Sequence, residues 1–124
     1  MRLISFLPIF DSFDFRNGNG FNPDMDIFET DKDFVIEAEI PGVSKNDMKL
    51  NAEDDILTLE VEKKKKKEDE SFIFKESREG KFKKIFSLPD DVESDKIKAK
   101  FENGVLRIII PKAKVLIPRE ITLN

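Results

Sequence analysis

Cysteine and histidine are both absent from the 124-residue sequence. Without cysteine there is no disulfide framework, no thiolate nucleophile and no thiolate metal site, a composition that fits a reducing compartment. Without histidine the chain lacks the side chain most used for acid-base chemistry near neutral pH and the commonest ligand of zinc, copper and iron. Its serines therefore have no histidine base. An excess of one charge is missing too: 22 basic and 26 acidic residues leave a formal net charge of only -4, which argues against a nucleic-acid surface.

Long hydrophobic runs are also lacking. No stretch approaches the ~20 apolar residues of a membrane span, so no stable membrane insertion is expected. Met1-Arg2-Leu3-Ile4-Ser5-Phe6-Leu7-Pro8-Ile9-Phe10 has one cation and a short apolar run. Pro8 interrupts that run, Asp11 stops it and no small-residue cleavage site follows, so it is not read as a secretory signal. The expected location is cytoplasmic.

The motifs that would hold a cofactor are incomplete. Gly18-x-Gly20 is followed by Pro23 where a third glycine would complete a dinucleotide loop, and no Gly-x-x-x-x-Gly-Lys is present to cradle phosphates. No acidic run has the central glycine and terminal glutamate of a calcium loop. Paired carboxylates occur at Asp24/Asp26, Asp54/Asp55 and Asp90/Asp91, and two carboxyls can run hydrolysis when their environments split their pKa values. All three pairs lie beside turn or loop signals and read as solvated acids. The expectation is no cofactor, no metal and no catalytic residue.

What is present sorts into three zones, with boundaries at 1–24, 25–112 and 113–124. The first holds five of the twelve phenylalanines (Phe6, Phe10, Phe13, Phe15, Phe21), with Asn17-Gly18-Asn19-Gly20 as a breaker. It reads as an apolar arm without regular structure.

The second zone has a two-residue period, the mark of strands with one buried face. Phe34, Ile36, Ala38 and Ile40 alternate with Val35, Glu37 and Glu39 as far as Pro41-Gly42. Met48, Leu50 and Ala52 form a second set, and Leu57, Leu59 and Val61 a third. Phe82, Phe86 and Leu88 share a face up to Pro89, and Ile97, Ala99 and Phe101 alternate with lysines. Asn103-Gly104, whose residues both tolerate positive φ, is a strong hairpin signal. It leads into Val105-Leu106-Arg107-Ile108-Ile109-Ile110, apolar on both sides and expected inside a sheet, covered on both faces. The fold class is all-β, an antiparallel β-sandwich of about seven to eight strands. No segment sustains helical spacing over three turns.

Residues 63–71 carry five lysines and then acids, and read as a solvated loop tip. Phe72-Ile73-Phe74 beyond it reads as a short extra strand that needs a partner. In the third zone Ile121-Thr122-Leu123 places two aliphatic side chains on one side of an extended strand, and Val115-Leu116-Ile117 repeats the spacing.

Pro41-Gly42-Val43, Gly80-x-Phe82, Phe86-x-Leu88-Pro89, Ala99-x-Phe101-x-Asn103-Gly104-Val105-Leu106 and Pro111-Lys112 together resemble the α-crystallin domain of small heat-shock proteins. The likeness runs from about Pro23 to Lys112, in order, and the flanks resemble the family's apolar arm and Ile-x-Ile/Val tail. It implies an immunoglobulin-like sandwich that dimerises, assembles into larger homo-oligomers and binds non-native client proteins without ATP. In the bacterial and plant branch a loop strand is exchanged between dimer partners. Phe72, Ile73 and Phe74 occupy that position, with Met25 and Ile27 on the acceptor strand. Lys84 stands where the family commonly has arginine; either its stem covers apolar surface or it makes the interface ion pair as a single point charge.

On this reading Ile121 and Leu123 dock in a groove formed by Met48, Leu50, Ile97 and Ala99 of a neighbour. Leu3, Ile4, Phe6, Leu7, Ile9, Phe10, Phe13 and Phe15 supply the client-binding surface. Two other classes stay open on sequence alone: a monomeric co-chaperone sandwich docking on a larger chaperone, and a scaffold with one tight partner.

Overall fold

Alternating apolar residues and tight turns build two stacked layers. The computed structural model describes residues 12–18, as backbone, together with 22–64, 71–113 and 123. Its strands are β1 (Ser12–Gly18), β2 (Asp24–Glu29), β3 (Asp33–Glu39), β4 (Met48–Glu53), β5 (Ile56–Lys63), β6 (Gly80–Ser87), β7 (Lys98–Glu102) and β8 (Val105–Pro111). Two antiparallel four-stranded sheets result, ordered β1-β6-β5-β4 and β2-β3-β8-β7. Phe34, Ile36, Ala38, Ile40, Leu57, Leu59, Val61, Phe82, Phe86, Leu88, Leu106, Ile108 and Ile110 form one buried cluster. Each large aliphatic or aromatic side chain so buried stabilises the sandwich by about 1.5–3 kcal/mol before ordering costs.

The turns follow from residues that tolerate the left-handed region. Asn103 (φ 53°) and Gly104 (φ 78°) join β7 to β8, with Glu102 and Val105 in register. Asp54 (φ 52°) and Asp55 (φ 62°) join β4 to β5, using aspartate in a conformation that costs most residues more. The Asp55 carbonyl also accepts from the Leu88 N–H at 2.8 Å, tying that hairpin to the end of β6. A Cβ on Gly104 would sit 3.4 Å from Pro41 Cα, and the Ile40 N–H donates to Gly104 O at 2.7 Å. The Pro41-Gly42 and Asn103-Gly104 turns therefore pack on each other.

Four expectations are corrected. The arm contains a strand, because Ser12 to Gly18 pair with β6 from Phe86 back to Gly80, running through the presumed breaker Asn17-Gly18. β8 does lie between β3 and β7, but only one of its faces is covered: Leu106, Ile108 and Ile110 are buried, Val105 and Ile109 partly so, and Arg107 is exposed. Among the described residues no second layer closes its outer face, where Arg107 lies 3.7 Å from Glu37 instead. Val35, assigned to the outer face of β3, is nevertheless buried, because Phe28 and Ile109 flank it in register. The strand expected from Ile97 begins one residue later, after a 3-10 turn at Ser94–Lys96 that the Lys96 N–H closes on Glu93 O.

Candidate docking surfaces

The paired carboxylates offer no shielded chemistry. Asp24, Asp26, Asp54, Asp55, Asp90 and Asp91 are all exposed. Among the described residues no helix is long and apolar enough to cross a membrane. Attention therefore falls on edges and apolar segments.

β2 is an outermost strand, laddered to β3 with Met25 opposite Ala38 and Ile27 opposite Ile36. Met25 and Ile27 are half-buried against the core. The other edge of β2 has no strand partner among the described residues, so its backbone groups can receive an added strand. Phe72, Ile73 and Phe74 belong to no strand of their own chain and are 51%, 103% and 77% exposed. The chain behind them is anchored. Lys75 Nζ donates to both carboxylate oxygens of the buried Glu79 at 2.7 Å and lies 5.6 Å from the Phe72 ring centroid. A charged clamp thus fixes the return into β6 and leaves the apolar trio outside.

Lys84 lies on β6 between the buried Phe82 and Phe86, itself half-buried. Its register partners are Leu59 on β5 and Asp14 on β1. Of the arm residues, Phe13 and Phe15 stand in register with Ile85 and Lys83. Leu3, Ile4, Phe6, Leu7, Ile9 and Phe10 lie outside the described residues.

β4 and β7 are the outermost strands at the opposite ends of the two sheet orders from β1 and β2. Met48, Leu50 and Ile97 are half-buried against the core, and Ala99 is exposed. Of the tail, Leu123 is 92% exposed; Ile121 and the 115–117 repeat lie outside the described residues.

One feature escaped sequence reasoning. Lys112 Nζ contacts Glu29 Oε2 at 2.5 Å and Thr30 O at 2.7 Å, and lies 5.1 Å from the Phe34 ring centroid. Its N–H donates to Lys32 O, and the following Ala113 N–H to Asp91 O, so the chain is held on both sides just before the tail. Pro111-Lys112 was legible as a motif, but no local pattern pointed 83 residues back to Glu29. A second local device is Asp47, whose Oδ2 accepts from the Ser44 N–H (3.1 Å) and hydroxyl (3.2 Å). These bonds, with the Lys64 ammonium at 3.5 Å, hold its carboxyl below the ordinary value of 3.8.

The sequence pattern of the Hsp20/alpha crystallin family matches residues 26–124. Small heat shock protein C2 of Rickettsia felis is 39% identical over 92 residues, covering 73% of this chain and 60% of that protein. The 16.9 kDa class I heat shock protein 3 of Oryza sativa subsp. japonica is 36% identical over 100 residues, covering 78% and 67%. The chain thus spans less than two thirds of the length of the Rickettsia relative. Among solved structures, a small heat-shock protein from Xylella fastidiosa superposes with a TM-score of 0.72 at 33% identity, covering 86% of this chain and 99% of that one.

Proposed function

Because the chain belongs to the Hsp20/alpha crystallin family of small heat shock proteins, we propose that it holds unfolding proteins in solution, without ATP and without catalysis. The observation that carries this reading is the contrast between a closed core and large apolar side chains left outside it. Ile73 and Leu123 are almost wholly exposed and Phe74 is 77% exposed, and none of the three residues lies in a strand. Such groups favour docking on other apolar surfaces.

The proposed roles divide along the chain. Residues 25–112 carry the sandwich apart from β1, which the client-binding arm of residues 1–24 adds to it, and residues 113–124 are the docking tail. Phe72, Ile73 and Phe74 add to the β2 edge of a second copy beside Met25 and Ile27, satisfying backbone groups on both chains. Lys84 belongs to the same dimer region. Ile121 and Leu123 enter a neighbour's groove at Met48, Leu50, Ile97 and Ala99, each burial being worth about 1.5–3 kcal/mol before ordering costs. One tail holds weakly; several tethered together give avidity while each releases singly.

Clients meet Leu3, Ile4, Phe6, Leu7, Ile9, Phe10, Phe13 and Phe15 of the arm. The partners are therefore non-native proteins and further copies of the chain, in the cytoplasm. Charged residues make up 39% of the sequence, in both signs, which keeps a loaded particle soluble. Turbidity of a heat-denatured client in nucleotide-free buffer tests the reading: the full chain suppresses aggregation, and deletion of residues 1–20 weakens that suppression. Undiminished turbidity with the full chain would refute it.

A further inference from the structure

The outer face of the β2-β3-β8-β7 sheet carries a pattern that a single chain leaves incomplete. With Phe34, Ile36 and Ala38 turned into the core, alternation puts Val35 and Glu37 of β3 on the opposite face, and it does the same for Arg107 and Ile109 of β8. The ladders align these residues in rows that cross all four strands. One row runs Phe28, Val35, Ile109, Lys98, and the next runs Asp26, Glu37, Arg107, Lys100.

The charged row is segregated, with both acids on β2 and β3 and both cations on β8 and β7. Directly opposed like charges destabilise an antiparallel pair. This row contains two such oppositions, Asp26 with Glu37 and Lys100 with Arg107. Unlike charges meet across strands at its centre, where Arg107 lies 3.7 Å from Glu37, while Lys100 leans along its own strand to Glu102 at 3.1 Å. The apolar row is half covered. Val35 is buried between Phe28 and Ile109, which are themselves half-buried, and among the described residues no second layer lies over them.

A second copy completes both rows at once. Let it be turned about a two-fold axis that lies in the plane of contact, parallel to the strands and between β3 and β8, so that each residue faces its counterpart across the axis. Arg107 then meets Glu37 of the second copy and Lys100 meets its Asp26, which gives every charge of the row an opposite one. Ile109 meets Val35, and the Lys98 ammonium meets the Phe28 ring, a favourable cation–π arrangement. The third row, Asp24, Glu39, Val105, Glu102, bounds the contact, because Glu102 would face Asp24 there. Aligned sheets cross at about 30°, which lets that end splay open.

We infer that this sheet face docks a second copy of the chain face to face, through the Asp26-Glu37-Arg107-Lys100 row and the apolar row beside it. The contact uses side chains, so the β2 edge stays open to the strand addition proposed above. Client holding is not needed for it.

Zero-length crosslinking of the full chain tests the contact. Within one chain Lys100 and Asp26 stand on opposite outermost strands, three strand spacings or about 14 Å apart, beyond the reach of a direct amide bond. Light and heavy-nitrogen chains refolded together and treated with a carbodiimide should yield Lys100–Asp26 peptide pairs, a large share of them joining a light chain to a heavy one. R107E, at an exposed position, should cut that yield roughly three- to tenfold, and E37R/R107E should return it to within about twofold of the original. If R107E fails to fold, salt replaces it: a yield that falls several-fold as salt is raised supports the charge pairing, and one indifferent to salt overturns it. Absence of the Lys100–Asp26 pair, or pairs confined to a single isotope, would overturn the inference. No client is present in this readout, so its failure is distinguishable from failure of client holding.

Discussion

Lys112 and Glu29 form a buried ion pair that joins the residue after the last strand to the final residue of β2, with side chains only 4% and 8% exposed. Removing one partner of a buried pair strands the other charge without compensation. Lys112→Met should therefore lower stability by about 3–5 kcal/mol in urea melts. The double variant Glu29→Gln/Lys112→Met should recover much of the loss, since both charges leave together. Equal losses in the single and double variants would show that packing over Phe34, rather than charge, is what Lys112 supplies.

Two turns separate backbone strain from side-chain contact. Asp54→Asn/Asp55→Gly installs the pair that a two-residue hairpin with positive φ favours, and should raise stability by about 0.5–1 kcal/mol. Gly104→Val should lower it by at least about 1–2 kcal/mol, through its positive φ and the approach to Pro41. Thermal melts read both. A neutral Gly104→Val would mean that the packed turns relax apart freely.

Phe72 and Phe74 separate monomer fold from assembly. Their exposure in the single chain means that Phe72→Ser/Phe74→Ser should change the stability of an isolated sandwich within about 0.5 kcal/mol. If these residues pair with a second copy, dimer dissociation should shift to higher protein concentration. Concentration-dependent melting distinguishes the two, and an unchanged dimer would remove this segment from the interface.

Asp47 carries a pH dependence of defined sign. Its folded-state pKa is lowered, chiefly by the Ser44 N–H, so the turn it closes is favoured above the unfolded value of 3.8 and loses that support as pH falls through the folded value. A carboxyl NMR titration should place its midpoint below 3.8. Asp47→Asn should remove this acid-side component from the opening of the Lys45–Asp47 turn. A midpoint at or above 3.8 would contradict the hydrogen-bonded arrangement.

Most of the sandwich was legible because its signal is local. The alternation of Phe34, Ile36, Ala38 and Ile40, or of Leu57, Leu59 and Val61, names the buried face within a few residues, and all seven are buried. Asn103-Gly104 announced its hairpin by conformational chemistry alone. What escaped depended on distant partners. β1 was hidden because Asn17-Gly18 looks like a breaker until Lys81 and Gly80 are seen opposite it. The coverage of Val35 depends on Phe28 and Ile109, and the burial of Lys112 on Glu29. Among the docking residues, the sequence marked Phe72, Ile73, Phe74 and Leu123 as apolar residues outside the main pattern. Their exposure needed the fold, and the partners proposed for them lie in other molecules.

The central claim is that exposed apolar segments around a rigid sandwich capture unfolding chains without nucleotide. Light scattering coupled to size exclusion, on a mixture warmed with a heat-labile client in nucleotide-free buffer, tests it most directly. The account predicts a soluble particle containing both proteins and heavier than either assembly alone. A client that pellets while the still-folded chain elutes at its original mass would contradict it.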